Sequence, residues 1–273
     1  METWRLLNHG PQDAFMNMAV DEAVLICRAQ DHVMNTLRFY EWKPSAVSIG
    51  RFQDIEKEVQ VENCRKLGVD VVRRITGGGA VYHDERDEVT YSVVTDKVSL
   101  EADSIIDIYR RIYLGLTKGL ESLGVTVDFN AGNVKTCPNL TVKGRKISGS
   151  AQCHKSGVIL QHGTILSSVN LERMFTVLRS PRAENCAQIV PIARGKITSL
   201  TDELKRKVPR AELTCALAGG FLEALGIQLI EGELTSREHE LAEALYRKKY
   251  LTEAWNFKAS EKDKSTSNAC LEQ

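Results

Sequence analysis

The chain lacks most of the features that assign a protein quickly. Its 273 residues contain no run of eighteen apolar residues, so no helical membrane span is expected. The opening METWRLLNHG does not read as a signal peptide, and a cytoplasmic location is expected. Charge of one sign is not in excess: Lys+Arg and Asp+Glu each number 36, for a formal net charge of zero. That argues against binding nucleic acid through bulk electrostatics and leaves a local patch for any acidic partner. Seven cysteines, at 27, 64, 137, 153, 186, 215 and 270, show no CxxC spacing. Free thiols are expected, not a disulfide framework or a zinc site. Neither phosphate-binding signature, GxGxxG or GxxxxGK(S/T), is present.

What is there is a series of strand and helix patterns. MNMAVDEAVLIC (16–27) has helical apolar spacing, and TLRFYEW (36–42) and SAVSIG (45–50) read as strands joined at Lys43-Pro44. Residues 62–67 read as a short helix, and VDVVRR (69–74) as a buried strand. Residues 80–82 and EVTYSVV (88–94) are expected to complete a meander. The clearest helix is 104–124, with Ile105, Tyr109, Ile112, Leu116 and Leu120 on one face and Gly124 as its stop. NLTV and RKISGSAQ around Lys143-Gly144 predict a hairpin, followed by the strand SGVILQHGTIL (156–166). Helices over 170–178, 198–206, 210–224 and 235–249 and a strand at 227–232 follow. Strands cluster and do not alternate strictly with helices, which predicts an α+β domain with a central mixed β-sheet flanked by helices. One domain is expected over 1–258, with 210–257 as a candidate helical subdomain and a disordered polar tail at 259–273.

Two segments carry chemistry. In RRITGGGAVYHD (73–84) a strand delivers Arg73 and Arg74 to Thr76 and the turn Gly77-Gly78-Gly79, with His83 and Asp84 beyond. Bare peptide N–H groups and a guanidinium there predict an anion site. A bulged hairpin with solvated side chains is the plain alternative. In KGRKISGSAQ (143–152), Lys146 precedes the small residues Ser148, Gly149, Ser150 and Ala151, which let a ligand lie against the backbone. LQHGTIL (160–166) adds His162, Gly163 and Thr164, where a core histidine is the commoner fate of a lone His.

Together these three motifs resemble the lipoate–protein ligase and octanoyltransferase family, distantly related to biotin ligases. MNMAVDEAV, LRFYEWKPSAVSIGRFQ and RKKYLTEAWNF support the resemblance, which runs in order up to the polar tail. The resemblance implies a biotin/lipoate ligase-like fold and an ATP-dependent ligase. Such a ligase converts lipoate or octanoate to an acyl-adenylate, then acylates a lysine of a lipoyl carrier domain of a 2-oxoacid dehydrogenase or of glycine-cleavage H protein. It implies that Arg74 and Gly77–Gly79 border the adenylate and that Lys146 contacts carboxylate and phosphate. His83, Gly163 and Thr164 would line the same pocket, and Val47, Ile49 and Val72 are candidates for an acyl tunnel.

Two departures accompany the resemblance. Where the ligases carry an aspartate that helps hold Mg²⁺, this chain has Asn139, a weaker ligand. Cys137 stands near the position of the acyl-carrying cysteine in the ATP-independent octanoyltransferases, though the spacing is shorter. A thiolate there would draw on Lys135 or Lys143. TGGGAVYHD is the ligase-like form, so an ATP- and Mg²⁺-dependent ligase is the first expectation, with Cys137 a bystander. Octanoyl transfer through Cys137 is the alternative, and a pocket that binds without turnover the third. The compact length leaves room for a small accessory ligase subunit.

Overall fold

The computed structural model describes residues 1–86, 88–133, 137–180 and 185–257. The tail expected to be disordered lies outside them, as does Lys135. The chain begins with β1 (Thr3–Gln12), α1 (Ala14–Ala29), β2 (Thr36–Trp42), β3 (Ala46–Ile49), α2 (Ile55–Glu58), α3 (Val61–Leu67), β4 (Asp70–Arg73), β5 (Val81–His83), β6 (Glu88–Asp96) and α4 (Ile105–Ser122). It continues with β7 (Asp128–Asn130), β8 (Asn139–Val142), β9 (Arg145–Lys155), β10 (Val158–Leu166), α5 (Leu171–Val177), α6 (Cys186–Arg194), α7 (Leu200–Leu204) and α8 (Arg210–Leu225). Last come β11 (Gln228–Glu231), α9 (Ser236–Leu245), a π-helical turn at Tyr246–Tyr250, and α10 (Glu253–Asn256).

Among the described residues the strands form two sheets. The larger runs β11-β1-β2-β6-β10-β9-β8-β7, parallel at β11-β1-β2 and antiparallel from β2 onward. The smaller runs β4-β3-β5, with β3 parallel to β4 and antiparallel to β5. This corrects the expected meander. The strand 81–83 pairs with β3 in the small sheet, while 88–96 crosses to the large one. METWRLLNHG, which carried no strand expectation, supplies most of β1.

The helices cover both faces of the large sheet, as an α+β layering requires. Capped by Ser104, whose hydroxyl accepts from the Asp107 amide, α4 lays Ile108, Ile112, Leu116 and Leu120 on Phe39, Tyr91 and Val93. Ile105, expected on that face, is instead half-exposed in the first turn. Gly124 stops the helix at φ +90°. On the other face α1 is buried nearly all round, between Val94 and Leu160 of the sheet and Ala242 of α9. The candidate subdomain 210–257 has no core of its own. Leu213, Leu217 and Phe221 of α8 join the α4 cluster, β11 pairs with β1, and Arg5 holds the buried carboxylate of Glu238 at 2.6 Å.

Close approach of α4 and α8 depends on glycine. A Cβ on Gly220 would stand 2.3 Å from both the Gly115 carbonyl oxygen and the Gly119 nitrogen, whereas one on Gly219 would meet nothing within 4 Å. Gly220→Ala should therefore overpack the contact and destabilise by about 1–3 kcal/mol. Gly219→Ala should stabilise by up to about 1 kcal/mol through helix propensity alone. Urea unfolding of the two variants checks the opposite signs.

Candidate active site

Strand β4 ends at Arg73 and the next residue is Arg74, and extended backbone sends the two side chains to opposite sides. Arg73 turns away from the cleft. Its guanidinium ties the carbonyls of Gly50, Arg51 and Gln53 to those of Trp255 and Asn256. Arg74 turns inward and is only 4% exposed. Its Nη2 donates to the carbonyls of Gly77 and Gly79, both at 2.7 Å. Nη1 donates to the carbonyl and hydroxyl of Ser48 at 3.0 and 3.2 Å, and Nε to Thr76 Oγ1 at 3.1 Å.

The sequence pattern pointed Arg74 at a ligand. It lines the cleft, but its donors are spent on the protein, chiefly on fastening the glycine turn. Burial pushes its pKa down to about 10, so it remains charged at neutral pH. Of the three glycines only Gly78 is left-handed, at φ +87°. Its carbonyl passes so close to Gly50 that a Cβ there would lie 2.0 Å away. Gly77 and Gly79 have open space at the Cβ position, and Gly77 does not line the cleft.

Both histidines are built into relays that meet at Arg74. His83 Nε2 lies 2.8 Å from Ser48 Oγ, its Nδ1 lies 2.6 Å from Glu88, and its ring stacks on Trp42 at 3.9 Å. His162 Nε2 lies 2.7 Å from Thr76 Oγ1, and its Nδ1 lies 2.9 Å from Asp21. Arginine can only donate, so each hydroxyl accepts from Arg74 and donates a hydrogen bond to Nε2, which leaves Nδ1–H facing the carboxylate. Both rings line the cleft with their polar atoms already occupied. Asp21 also accepts from Arg38, Tyr40 and Ser92, and Arg38 chiefly offsets the burial cost to hold its pKa at about 2. Asp21, Glu88 and Ser48 were missed in the sequence. The available signal was a carboxylate inside each of two apolar runs, MNMAVDEAVLIC and EVTYSVV.

The opposite wall is the pairing of the other two motifs. In β9 and β10, Ala151 faces His162, Ser150 faces Gly163, and Gly149 faces Thr164. A Cβ on Gly163 would stand 2.5 Å from the Gly149 carbonyl oxygen, and one on Gly149 would stand 2.5 Å from Lys146 Nζ. The small residues thus let the lysine side chain lie along the strand and into the cleft. As a whole Lys146 is exposed, but its ammonium is crowded by protein. Loss of hydration holds its pKa below the ordinary lysine value, with Arg74 adding in the same direction and Cys137 opposing. Among the described residues neither Lys146 nor Arg74 has a carboxylate partner, so two cations face the cleft without acids.

Ser150 lines the cleft, with its hydroxyl 2.5 Å from that of Tyr113. Ser148 is buried outside the lining, and Thr76 acts through His162. Cys137, expected to be a bystander, comes to the cleft. Its Sγ lies 3.6 Å from where a Cβ on Gly78 would be, and the residue is exposed. Asn139 lies outside the lining and donates to the Cys137 carbonyl at 3.1 Å. No Asp or Glu lines the cleft, and no cluster of three metal-ligating side chains occurs among the described residues. The donor set does not fit the expected Mg²⁺. The cavity, about 350 Å³, is walled by apolar side chains including Met18, Trp42, Leu166, Met174 and Ile197. Val47, Ile49 and Val72, the expected tunnel residues, pack in the core instead.

A family model described as the lipoyl protein ligase A/B catalytic domain matches residues 13–222. The octanoyltransferase LipM of Kyrpidia tusciae is 42% identical over 276 residues, covering 94% of this chain and 100% of the relative. That of Symbiobacterium thermophilum is 39% identical with the same coverage. Among solved structures, a bi-partite lipoate protein ligase described with its E2 lipoyl domain from Thermoplasma acidophilum superposes with a TM-score of 0.80 at 31% identity, covering 96% of this chain and 98% of that one. A lipoate-protein ligase A bound with ATP gives 0.79 at 31% identity, covering 95% of this chain and 100% of that one.

The relays have a consequence for pH. Burial is the main force holding His162 below its ordinary 6.5, and it pushes His9, which accepts from Arg38, down to about 4. A depressed histidine pKa means that the unfolded chain binds the proton first. The contribution is complete above about pH 6.5 and is lost progressively as pH falls toward the folded values. Urea unfolding should give a constant free energy near neutrality and a declining one below about pH 6. A free energy that rises on acidification over that range would contradict neutral rings.

Proposed function

This chain belongs to the lipoyl protein ligase A/B catalytic domain family, and we propose that within it the protein is an octanoyltransferase that carries the acyl group on Cys137. The donor is an octanoyl thioester on acyl carrier protein. The acceptor is a lysine of a lipoyl carrier domain or of glycine-cleavage H protein. One observation carries this reading: the Cys137 sulfur stands at the glycine turn, in a cleft it shares with Lys146. The names of the similar relatives support it.

The chemistry runs in two balanced exchanges. Lys146, in its neutral form, takes the Cys137 proton, and the sulfur attacks the donor's carbonyl carbon. The tetrahedral oxyanion collapses, the donor C–S bond breaks, and Lys146 returns the proton to the departing thiol. Burial lowers the Lys146 pKa from its ordinary value, the direction that favours a proton-accepting amine. The acceptor amine then attacks the Cys137 thioester, neutral Lys146 takes a proton from the attacking nitrogen, an amide forms as the enzyme C–S bond breaks, and Lys146 returns that proton to the Cys137 sulfur. The positive charges of Arg74 and Lys146 stabilise the oxygen that turns negative in each step. The apolar cavity takes the octanoyl chain. Exposure of Cys137 at the rim lets two proteins reach it in turn.

A second reading, an adenylating ligase for lipoate or octanoate, has in its favour the likeness to the ligase bound with ATP. It is the reading for which ATP, Mg²⁺ and an accessory subunit would matter. No carboxylate lines the cleft among the described residues, and neither exchange above calls on a metal.

The deciding experiment supplies octanoyl-acyl carrier protein and an apo carrier domain without ATP. Octanoyl transfer with an acyl-enzyme visible by mass is expected, and Cys137→Ser should abolish both. Transfer only when ATP is added, with pyrophosphate release that survives Cys137→Ser, would sink the proposal. Lys146→Ala should lower kcat by about 10²–10⁴, the usual contribution of a positioned acid–base group, and leave thermal stability near the parent value.

A further inference from the structure

Cys137 is exposed, yet its carbonyl and that of Pro138 are both tied down. The Cys137 carbonyl accepts from Nδ2 of Asn139, the first residue of β8. The Pro138 carbonyl accepts from Tyr113 Oη at 2.9 Å. Tyr113 belongs to α4, so this bond fastens the loop to the core helix of the domain. The same Oη lies 2.5 Å from Ser150 Oγ on β9. A phenol has one proton and a carbonyl can only accept. Tyr113 therefore donates to Pro138, and Ser150 donates to Tyr113. Gln161 Nε2 stands 3.4 Å behind Ser150 Oγ.

We infer that Tyr113, braced by Ser150, is a positioning residue that sets where the Cys137 sulfur stands over the glycine turn. This rests on the reading of Cys137 as the acyl carrier. Tyr113 is 1% exposed, and its ring is held between Tyr109 at 6.0 Å and Phe129 at 5.5 Å, so its hydroxyl is a fixed point. Proline passes that fixity on. Its ring locks its own φ, and it restricts the preceding residue to extended conformations. Few soft torsions separate the tied carbonyl from the Cys137 side chain. Burial also keeps the phenol protonated, so the donor persists across the working pH range. Released from this anchor, the sulfur would drift from Gly78, Arg74 and Lys146 together. Misplacement of a reacting atom by about 1 Å can cost about 10²-fold in rate.

The test is Tyr113→Phe, which keeps the ring and removes only the donor. Octanoyl transfer and hydrogen exchange of the peptide covering 137–142 are measured in parent and variant. The expected result is a kcat lower by about 10²-fold with KM for the donor near the parent value. Faster exchange should be confined to 137–142. Ser150→Ala should move both quantities the same way by less, and it serves as the second variant should Tyr113→Phe fold poorly. An unchanged kcat, an effect on KM alone, or faster exchange spread equally through α4 and α8 would overturn the inference. Should the parent transfer no octanoyl group, the proposed function fails by itself. The exchange comparison then decides separately whether Tyr113 holds the loop.

Discussion

A buried guanidinium with its donors occupied, that of Arg74, joins the small sheet, the glycine turn and the large sheet at one point. Through Ser48 it holds β3, and through Thr76 and His162 it holds β10. Through the carbonyls of Gly77 and Gly79 it sets the turn between them. A charge this deep would be costly without such bonds, and removal of any one partner leaves a buried donor unmatched. The arrangement is therefore cooperative. The relays back to Asp21 and Glu88 orient the hydroxyls, the hydroxyls orient the guanidinium, and the guanidinium orients the turn on which the Cys137 sulfur rests. The two carboxylates lie behind the imidazoles, so their charge is kept one residue away from the cleft.

That separation gives the cleft its electrostatic character. Lys146 and Arg74 are both within reach of Cys137, and among the described residues neither is paired with an acid. In a setting where apolar side chains exclude water, such cations act on a developing negative charge far more strongly than they would in bulk solvent. The balanced net charge of the whole chain conceals this. What the sequence loses in any global field, the fold recovers locally by burying two acids in relays and leaving Arg74 and Lys146 in the cleft without acid partners among the described residues.

Much of this was legible in the residues. The hairpin of NLTV and RKISGSAQ, the strand LQHGTIL beside it, the long helix ending at Gly124, the mixed sheet flanked by helices and the lysine at the cleft all follow from local pattern, because periodicity and turn chemistry are properties of neighbours. The fate of Arg74 was not legible. A strand ending in two arginines before three glycines reads as a ligand site, and only the fold reveals that carbonyls of that same turn occupy the guanidinium. Asp21 was hidden for a related reason: a carboxylate in a buried helix declares that a partner exists without naming it, and the partners Arg38 and His162 lie on other elements. Cys137 was discounted because TGGGAVYHD is the ligase-like form and because its spacing matched the octanoyltransferase cysteine only loosely. Neither consideration could show that the fold sets its sulfur beside Gly78, a residue far away along the chain. Asn139 was read against a metal because of its position in a motif, but its amide is turned to its own loop.

The similar proteins are named for two chemistries, some for ligation and some for octanoyl transfer, and the residues here bear on the difference. Adenylation must bring a carboxylate to a polyphosphate, so it needs cations with free donors and oxygen ligands for a metal. Among the described residues of this cleft, Arg74 has already spent its donors, the lining carries no carboxylate, and Lys146 offers an ammonium with no acid partner. That complement suits one developing charge on a thioester oxygen better than the several charges of a nucleotide. A thioester donor also arrives already activated, so the protein need supply only a nucleophile, a proton carrier and a dry channel for the chain. Under the octanoyl transfer proposed above, Cys137, Lys146 and the apolar walls would be those three parts. The exposure that would be a liability for a water-sensitive adenylate becomes a requirement when the acyl group must be received from one protein and surrendered to another at the same sulfur.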